Sequence, residues 1–124
     1  MMTFEEAGAV LDEIADSLPP EFFMELNGGI LLSPEECRRG DLPGRLYTMG
    51  VYRRDHMGRS IEIYYGSFAA LYRREPASVW REELRRTLMH EFTHHLESLG
   101  GEKSLERQDE EELEQYLDEF GEED

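Results

Sequence analysis

The spacing of apolar residues predicts helices at both ends of the chain and strands between them. Apolar residues recur at helical spacing over residues 4–18, and Thr3 with Glu6 forms a capping box in front of them. A short apolar run at 30–32 is bounded by glycine and Ser-Pro, which is typical of a buried strand. The chain therefore begins with an amphipathic helix that is followed by a strand.

Two further segments predict an antiparallel hairpin. Residues 46–53 and 60–65 are rich in Tyr, Val and Ile, and the intervening sequence Asp55-His56-Met57-Gly58 has the composition of a turn. With the strand at 30–32, this hairpin makes a small mixed sheet. We expect an α+β fold in which this sheet packs against helices.

Two helices should follow the hairpin. Ser67 is placed to cap a short helix that ends at Tyr72, and Ser78 to cap a longer one over residues 79–99. Gly100-Gly101 should end the longer helix. Its apolar stripe consists of Leu84, Leu88, Phe92, Leu96 and Leu99.

A last helix is predicted after Ser104, and its apolar stripe consists of Leu113, Tyr116, Leu117 and Phe120.

Composition limits the function classes. The 124 residues carry 13 Lys and Arg against 29 Asp and Glu, a net charge of −16 that disfavours nucleic acid as a partner. No apolar run is long enough to span a bilayer, so we expect no membrane partner. The start lacks the pattern of a secretory signal, and Cys37 has no second cysteine to pair with, which together favour the cytoplasm. We expect residues 1–124 to form a single, monomeric domain.

The longer helix contains the sequence His90-Glu91-Phe92-Thr93-His94, an HExxH motif. Four residues advance a helix by about 400°, so His90 and His94 lie about 40° apart around its axis and one turn apart along it. Both imidazoles can then bind one zinc ion. The alternative is that they are ordinary polar residues on an exposed face.

Glu91 lies about 100° around the helix from His90, beside the ion and outside its coordination shell. Zinc lowers the pKa of a bound water to about 7, and a neighbouring carboxylate can take its proton as the oxygen attacks a carbonyl carbon. The motif therefore indicates peptide-bond hydrolysis with Glu91 as the general base.

A catalytic zinc site usually has three protein ligands, so a third ligand is expected beyond His94. Extending the apolar stripe of the last helix backward leads to Asp109 and Glu106, two acids that would point inward and need a partner. They could instead be first-turn acids favoured by the helix dipole. Glu97 lies too far along the helix axis from His90 to share its ion.

The two remaining histidines have structural interpretations. His95 falls within the apolar stripe, where a packed, hydrogen-bonded histidine is expected. His56 lies in the predicted turn.

These features resemble the minimal zincin-like metallopeptidases, a family of short bacterial proteins. The resemblance rests on the strand ending Ile61-Glu62-Ile63-Tyr64-Tyr65-Gly66 and on Glu83-Leu84-Arg85-Arg86-Thr87 leading into the HExxH motif. It implies a compact zincin core with one zinc ion and peptidase activity. Members continue as HExxHxxGxxD, whereas here Gly100 stands at the position of the ligand aspartate. Sliding the pattern to the next suitable aspartate gives Asp109 as the third ligand, with Glu106 as the alternative.

Two functions remain open. In the first, zinc is held by His90, His94 and Asp109, Glu91 is the base, and a peptide or protein substrate pairs with residues 60–65 as an edge strand. Tyr64 or Tyr65 would then polarise the substrate carbonyl, unless these residues only pack. In the second, the chain is a catalytically inactive metal-binding or protein-interaction module.

Overall fold

The computed structural model describes residues 2–38, 47–56 and 58–102, and these form an α+β fold. The helices are α1 (Phe4–Asp16), α2 (Tyr65–Tyr72) and α3 (Ala77–Glu102). The strands are β1 (Gly29–Ser33), β2 (Gly50–Asp55) and β3 (Gly58–Tyr64). The predicted last helix after Ser104 lies outside the described residues.

The sheet is mixed, as predicted, but its strand order is β1-β3-β2. β1 pairs with β3 in parallel and places Ile30 opposite Ile61, while β2 pairs with β3 antiparallel and places Tyr52 opposite Ile61. The expectation that residues 60–65 form an edge strand is wrong, because β3 is paired on both sides. Its central place follows from Ile61 and Ile63, which are fully buried.

Helix α3 packs against both α1 and the sheet. Every member of its predicted apolar stripe is buried, and Trp80 extends this surface toward α2, where its indole N–H donates to the Tyr72 carbonyl at 2.8 Å. On the other side, α1 contributes Ala7, Val10, Leu11 and Ile14, all buried. The amphipathic pattern thus fixes which face of α3 is turned away from the core.

The helix boundaries differ from the predictions where tertiary contacts intervene. The capping box of Thr3 and Glu6 is confirmed. Ser67, however, is fully buried inside α2, where its hydroxyl accepts the backbone N–H of Cys37 at 2.9 Å. Helix α3 begins at Ala77, ahead of the predicted cap Ser78.

Gly100-Gly101 does not end α3, which continues to Glu102. A glycine costs a helix only about 1 kcal/mol relative to alanine, so packing of the preceding turns can carry the helix through this pair.

Candidate metal centre

His90 and His94 lie on consecutive turns of α3, and both side chains are exposed. Their Nε2 atoms are 3.3 Å apart. The two rings meet almost at right angles, with centroids 4.8 Å apart and an interplanar angle of 87°. The helix therefore brings together two imidazole nitrogens of the kind that bind transition metals.

The separation of these nitrogens fits a zinc ion. Zinc binds imidazole nitrogen at about 2.0–2.1 Å in tetrahedral geometry, so two bound nitrogens should be about 3.3 Å apart. Each ring can present a neutral Nε2 lone pair without any change in helix geometry. His90 and His94 can therefore supply two of the three zinc ligands that the HExxH motif predicts.

Glu91 is buried beside these histidines, with 6% of its surface exposed. Burial raises the pKa of the Glu91 carboxyl, while the charges of His90 and His94 act in the opposite direction. A carboxylate whose proton affinity is raised in this way is better suited to accept a proton near neutral pH.

The three motif residues open onto a groove of about 680 Å³. One wall of this groove is α3, which contributes His90, Glu91, His94 and Ser98. The other wall is strand β2, which contributes Gly50, Val51, Tyr52 and Arg54. The groove therefore runs between the HExxH helix and strand β2.

A hydrogen-bond chain through the buried His95 side chain joins these two walls. His95 is fully buried, its Nε2 lies 2.8 Å from the Met24 carbonyl oxygen, and its Nδ1 lies 2.9 Å from the Tyr52 hydroxyl. Because a carbonyl oxygen can only accept, we assign the proton to Nε2, and the Tyr52 hydroxyl then donates to Nδ1. Burial lowers the pKa of His95, which favours this neutral ring.

We expect Tyr52→Phe to destabilise the protein by about 1–3 kcal/mol, because it leaves a buried His95 nitrogen without its donor. Urea unfolding measures the change. Tyr64→Phe is a suitable control, since the Tyr64 hydroxyl bonds the partly exposed Arg53 and not a buried ring nitrogen. Equal losses in the two variants would contradict a special role for the Tyr52–His95 bond.

The other predicted site residues lie away from the groove or outside the described part of the chain. Asp109 and Glu106 fall outside the described residues, so the third-ligand prediction stays a prediction. Within the described residues, no cluster of three His, Cys, Asp or Glu side chains could hold a metal. Glu97 is exposed further along α3, and His56 is exposed in the hairpin turn, as expected.

Tyr64 and Tyr65 have packing roles. The Tyr65 hydroxyl donates to the Met2 carbonyl at 2.6 Å, and its ring contacts Phe4 and Trp80. Tyr64 accepts a hydrogen bond from Arg53 at 3.0 Å. Neither lines the groove beside the motif.

The groove also contains residues that the HExxH motif does not predict. Tyr52 and Arg54 of β2 and Ser98 of α3 all face it. Side chains alternate between the two faces of a strand, so the sequence of β2 alone places Gly50, Tyr52 and Arg54 on one face.

The fold and the HExxH groove together define a zincin-type protein. The model of the zincin-like metallopeptidase family matches residues 40–116, and the chain belongs to this family.

A solved structure supports the same fold. A "Conserved hypothetical protein" from "Thermo thermophilus" is 29% identical in sequence and superposes with a TM-score of 0.70. The alignment covers 82% of this chain and 100% of that one. Comparison with curated protein sequences gives no match. No helix among the described residues is long and apolar enough to cross a membrane.

Proposed function

We propose that the protein is a zinc-dependent peptidase that uses His90 and His94 as ligands and Glu91 as the general base. The observation that carries this proposal is the approach of the two Nε2 atoms to 3.3 Å in a groove that a buried carboxyl also lines. Membership of the zincin-like metallopeptidase family supports it. Asp109 is the proposed third ligand, with Glu106 as the alternative.

In the proposed reaction, the zinc ion and Glu91 have different chemical roles. A zinc ion, when bound, supplies Lewis acidity toward the substrate carbonyl and lowers the pKa of water to about 7. Glu91 takes one proton from the attacking water as its oxygen bonds to the carbonyl carbon. Glu91 then returns this proton to the amide nitrogen as the C–N bond breaks, which leaves a carboxylic acid and an amine.

Strand β2 is the proposed support for the substrate backbone. Among the described residues it pairs with β3 along one edge only, and it forms one wall of the groove opposite His90 and His94. An extended peptide can add to such an edge through main-chain hydrogen bonds. We therefore propose that the substrate lies along β2 and not along residues 60–65, which belong mainly to the central strand β3.

Metal analysis of the purified protein tests the proposal. We expect about one zinc per wild-type chain, and a loss of that zinc in His90→Ala. Because an ion bound only to the native state stabilises it, zinc at a hundred times its Kd should add about 2.7 kcal/mol, and EDTA should lower Tm. His56→Ala is the matched control, since this histidine is exposed in a turn.

Cleavage of a mixed peptide library separates the two functions considered for the chain. Zinc together with cleavage supports the peptidase. Zinc without cleavage favours the inactive module, and a wild-type protein that takes up no zinc contradicts both the peptidase and a metal-binding role.

A further inference from the structure

A second groove lies beside helix α2, and no residue of the HExxH motif lines it. Its volume is about 730 Å³, and both α2 and the segment that follows β1 contribute to its walls. Helix α2 provides residues 69–71, and Arg73 and Arg74 follow directly after its last residue. We call this feature the α2 groove.

Two close contacts hold the walls of the α2 groove together. The segment after β1 crosses the start of α2 at Gly66, where an added Cβ would lie 2.5 Å from the backbone nitrogen of Glu36. At the next position, the Ser67 hydroxyl accepts the backbone N–H of Cys37 at 2.9 Å. The two walls therefore belong to the packed fold, and a side chain at position 66 would push them apart.

Two arginines give the α2 groove unpaired positive charge. Arg73 and Arg74 are exposed, and within residues 2–38, 47–56 and 58–102 neither forms a hydrogen bond or an ion pair. In contrast, Arg53, Arg81 and Arg86 each lie within ion-pair distance of a glutamate. Cations are favoured at the end of a helix, which explains the position of the two arginines but leaves their donors open to an acid.

Two acids also line the α2 groove, but neither pairs with these arginines. Glu36 lies 3.9 Å from Arg38, and Glu75 follows Arg74 without an ion pair to it. Much of the remaining surface is apolar and includes Leu71, which is 37% exposed. The groove therefore suits a segment that combines carboxylates with apolar side chains.

The sequence after α3 contains such a segment. Residues 110–124 carry nine Asp and Glu and no Lys or Arg. They also carry the apolar stripe of the predicted last helix, which consists of Leu113, Tyr116, Leu117 and Phe120. A separate acidic chain would be repelled by the net charge of −16, whereas this segment is held nearby by its covalent connection. Charge and tethering together favour residues 110–124 as the occupant.

The segment is long enough to reach the α2 groove. The groove lies next to the start of α3, because Arg74 is three residues before Ala77, the first residue of that helix. The 26 residues of α3 span about 39 Å. Residues 103–124 can cover about 33 Å as a continuous helix and about 70 Å when extended. A path back along α3 passes the HExxH motif, so it is compatible with Asp109 as the third ligand.

We infer that residues 110–124 dock in the α2 groove of the same chain, with carboxylates on Arg73 and Arg74 and apolar side chains against Ala70 and Leu71. Docking connects the sequence that follows α3 to the surface at the start of that helix. It requires neither zinc nor cleavage, so it is independent of the proposed peptidase function.

Paramagnetic relaxation enhancement in the 124-residue chain tests this docking. A nitroxide is attached at Glu122→Cys in a Cys37→Ser background, because Cys37 is the one native cysteine. Cys37 contacts Ser67 through its backbone, so this contact does not depend on the thiol. Amide signals of isotope-labelled protein are compared before and after chemical reduction of the nitroxide.

We expect the nitroxide to lower the amide signals of residues 69–71 to about half or less, because the tether gives the segment a millimolar effective concentration. Arg73→Gln with Arg74→Gln should restore these signals. Arg53→Gln with Arg81→Gln is the matched control, since it removes the same charge from two arginines that do not line the α2 groove. The control should keep the signal loss.

Three results would overturn the inference: residues 69–71 keep their signals, the signal loss survives Arg73→Gln with Arg74→Gln, or the control abolishes it equally. A mixture of nitroxide-bearing chains without isotope and isotope-labelled chains without nitroxide provides a further test. Signal loss in that mixture would show that a second copy supplies the segment, which contradicts docking within one chain.

Discussion

Glu91→Gln will lower kcat for peptide cleavage by about 10²- to 10⁴-fold, because an amide cannot take the proton of the attacking water. The zinc content should stay at the wild-type value, since Glu91 is proposed to lie outside the coordination shell. Burial already disfavours the charged form of Glu91, so the neutral glutamine should not lower Tm. Steady-state kinetics on the best library peptide, with elemental analysis of the same sample, measure both properties.

Glu97→Gln is the control for this change, because Glu97 is an exposed glutamate on the same helix. It makes the same chemical substitution away from the groove and should keep wild-type kcat. If Glu91→Gln keeps its activity, or loses zinc together with activity, Glu91 is not the general base.

Phe92→Ala should destabilise the protein by about 3–5 kcal/mol, the largest stability effect that we expect from a residue within the motif. Phe92 is fully buried, and its ring centroid lies 5.7 Å from that of Phe22 and 5.3 Å from that of Phe23. The truncated side chain would leave a cavity directly behind the histidine-bearing face of α3. Urea unfolding of the zinc-free protein measures the loss.

Leu31→Ala tests whether burial of the side chain is the cause of the stability loss expected for Phe92→Ala. Leu31 is 50% exposed on β1, and we expect its truncation to cost less than about 1 kcal/mol. Comparable losses for Leu31→Ala and Phe92→Ala would show that α3 is not anchored through its apolar stripe.

The sequence was most informative where a local pattern determines the structure. The 3.6-residue period of the apolar stripe on α3 fixes which side faces the core, and it thereby places His90 and His94 on the exposed side. The same reasoning placed His95 in the core. Its partners Tyr52 and Met24 are distant in sequence, so they could not be deduced from the pattern around His95.

Strand order and helix starts depended on contacts that no local pattern encodes. The hairpin was predicted correctly, but β1 pairs with β3 and not with β2, which made the edge assignment wrong. Serine is a residue type that often caps helices, yet the Ser67 hydroxyl accepts the backbone N–H of Cys37, thirty residues away. The place of Arg54 in the groove depends on the packing of β2 beside α3, which the local sequence does not encode.

The alternation of Arg53 and Arg54 on β2 limits how this hairpin can evolve. A single-residue insertion within the strand would exchange the two arginines between the sheet faces, so that Arg53 would enter the groove and Arg54 would meet Glu62. Substitutions in the connecting turn do not change which residues of β2 face the groove, whereas insertions or deletions within the strand do. We therefore expect an insertion between Gly50 and Arg54 to be tolerated less well than a substitution of His56, which is exposed in the turn.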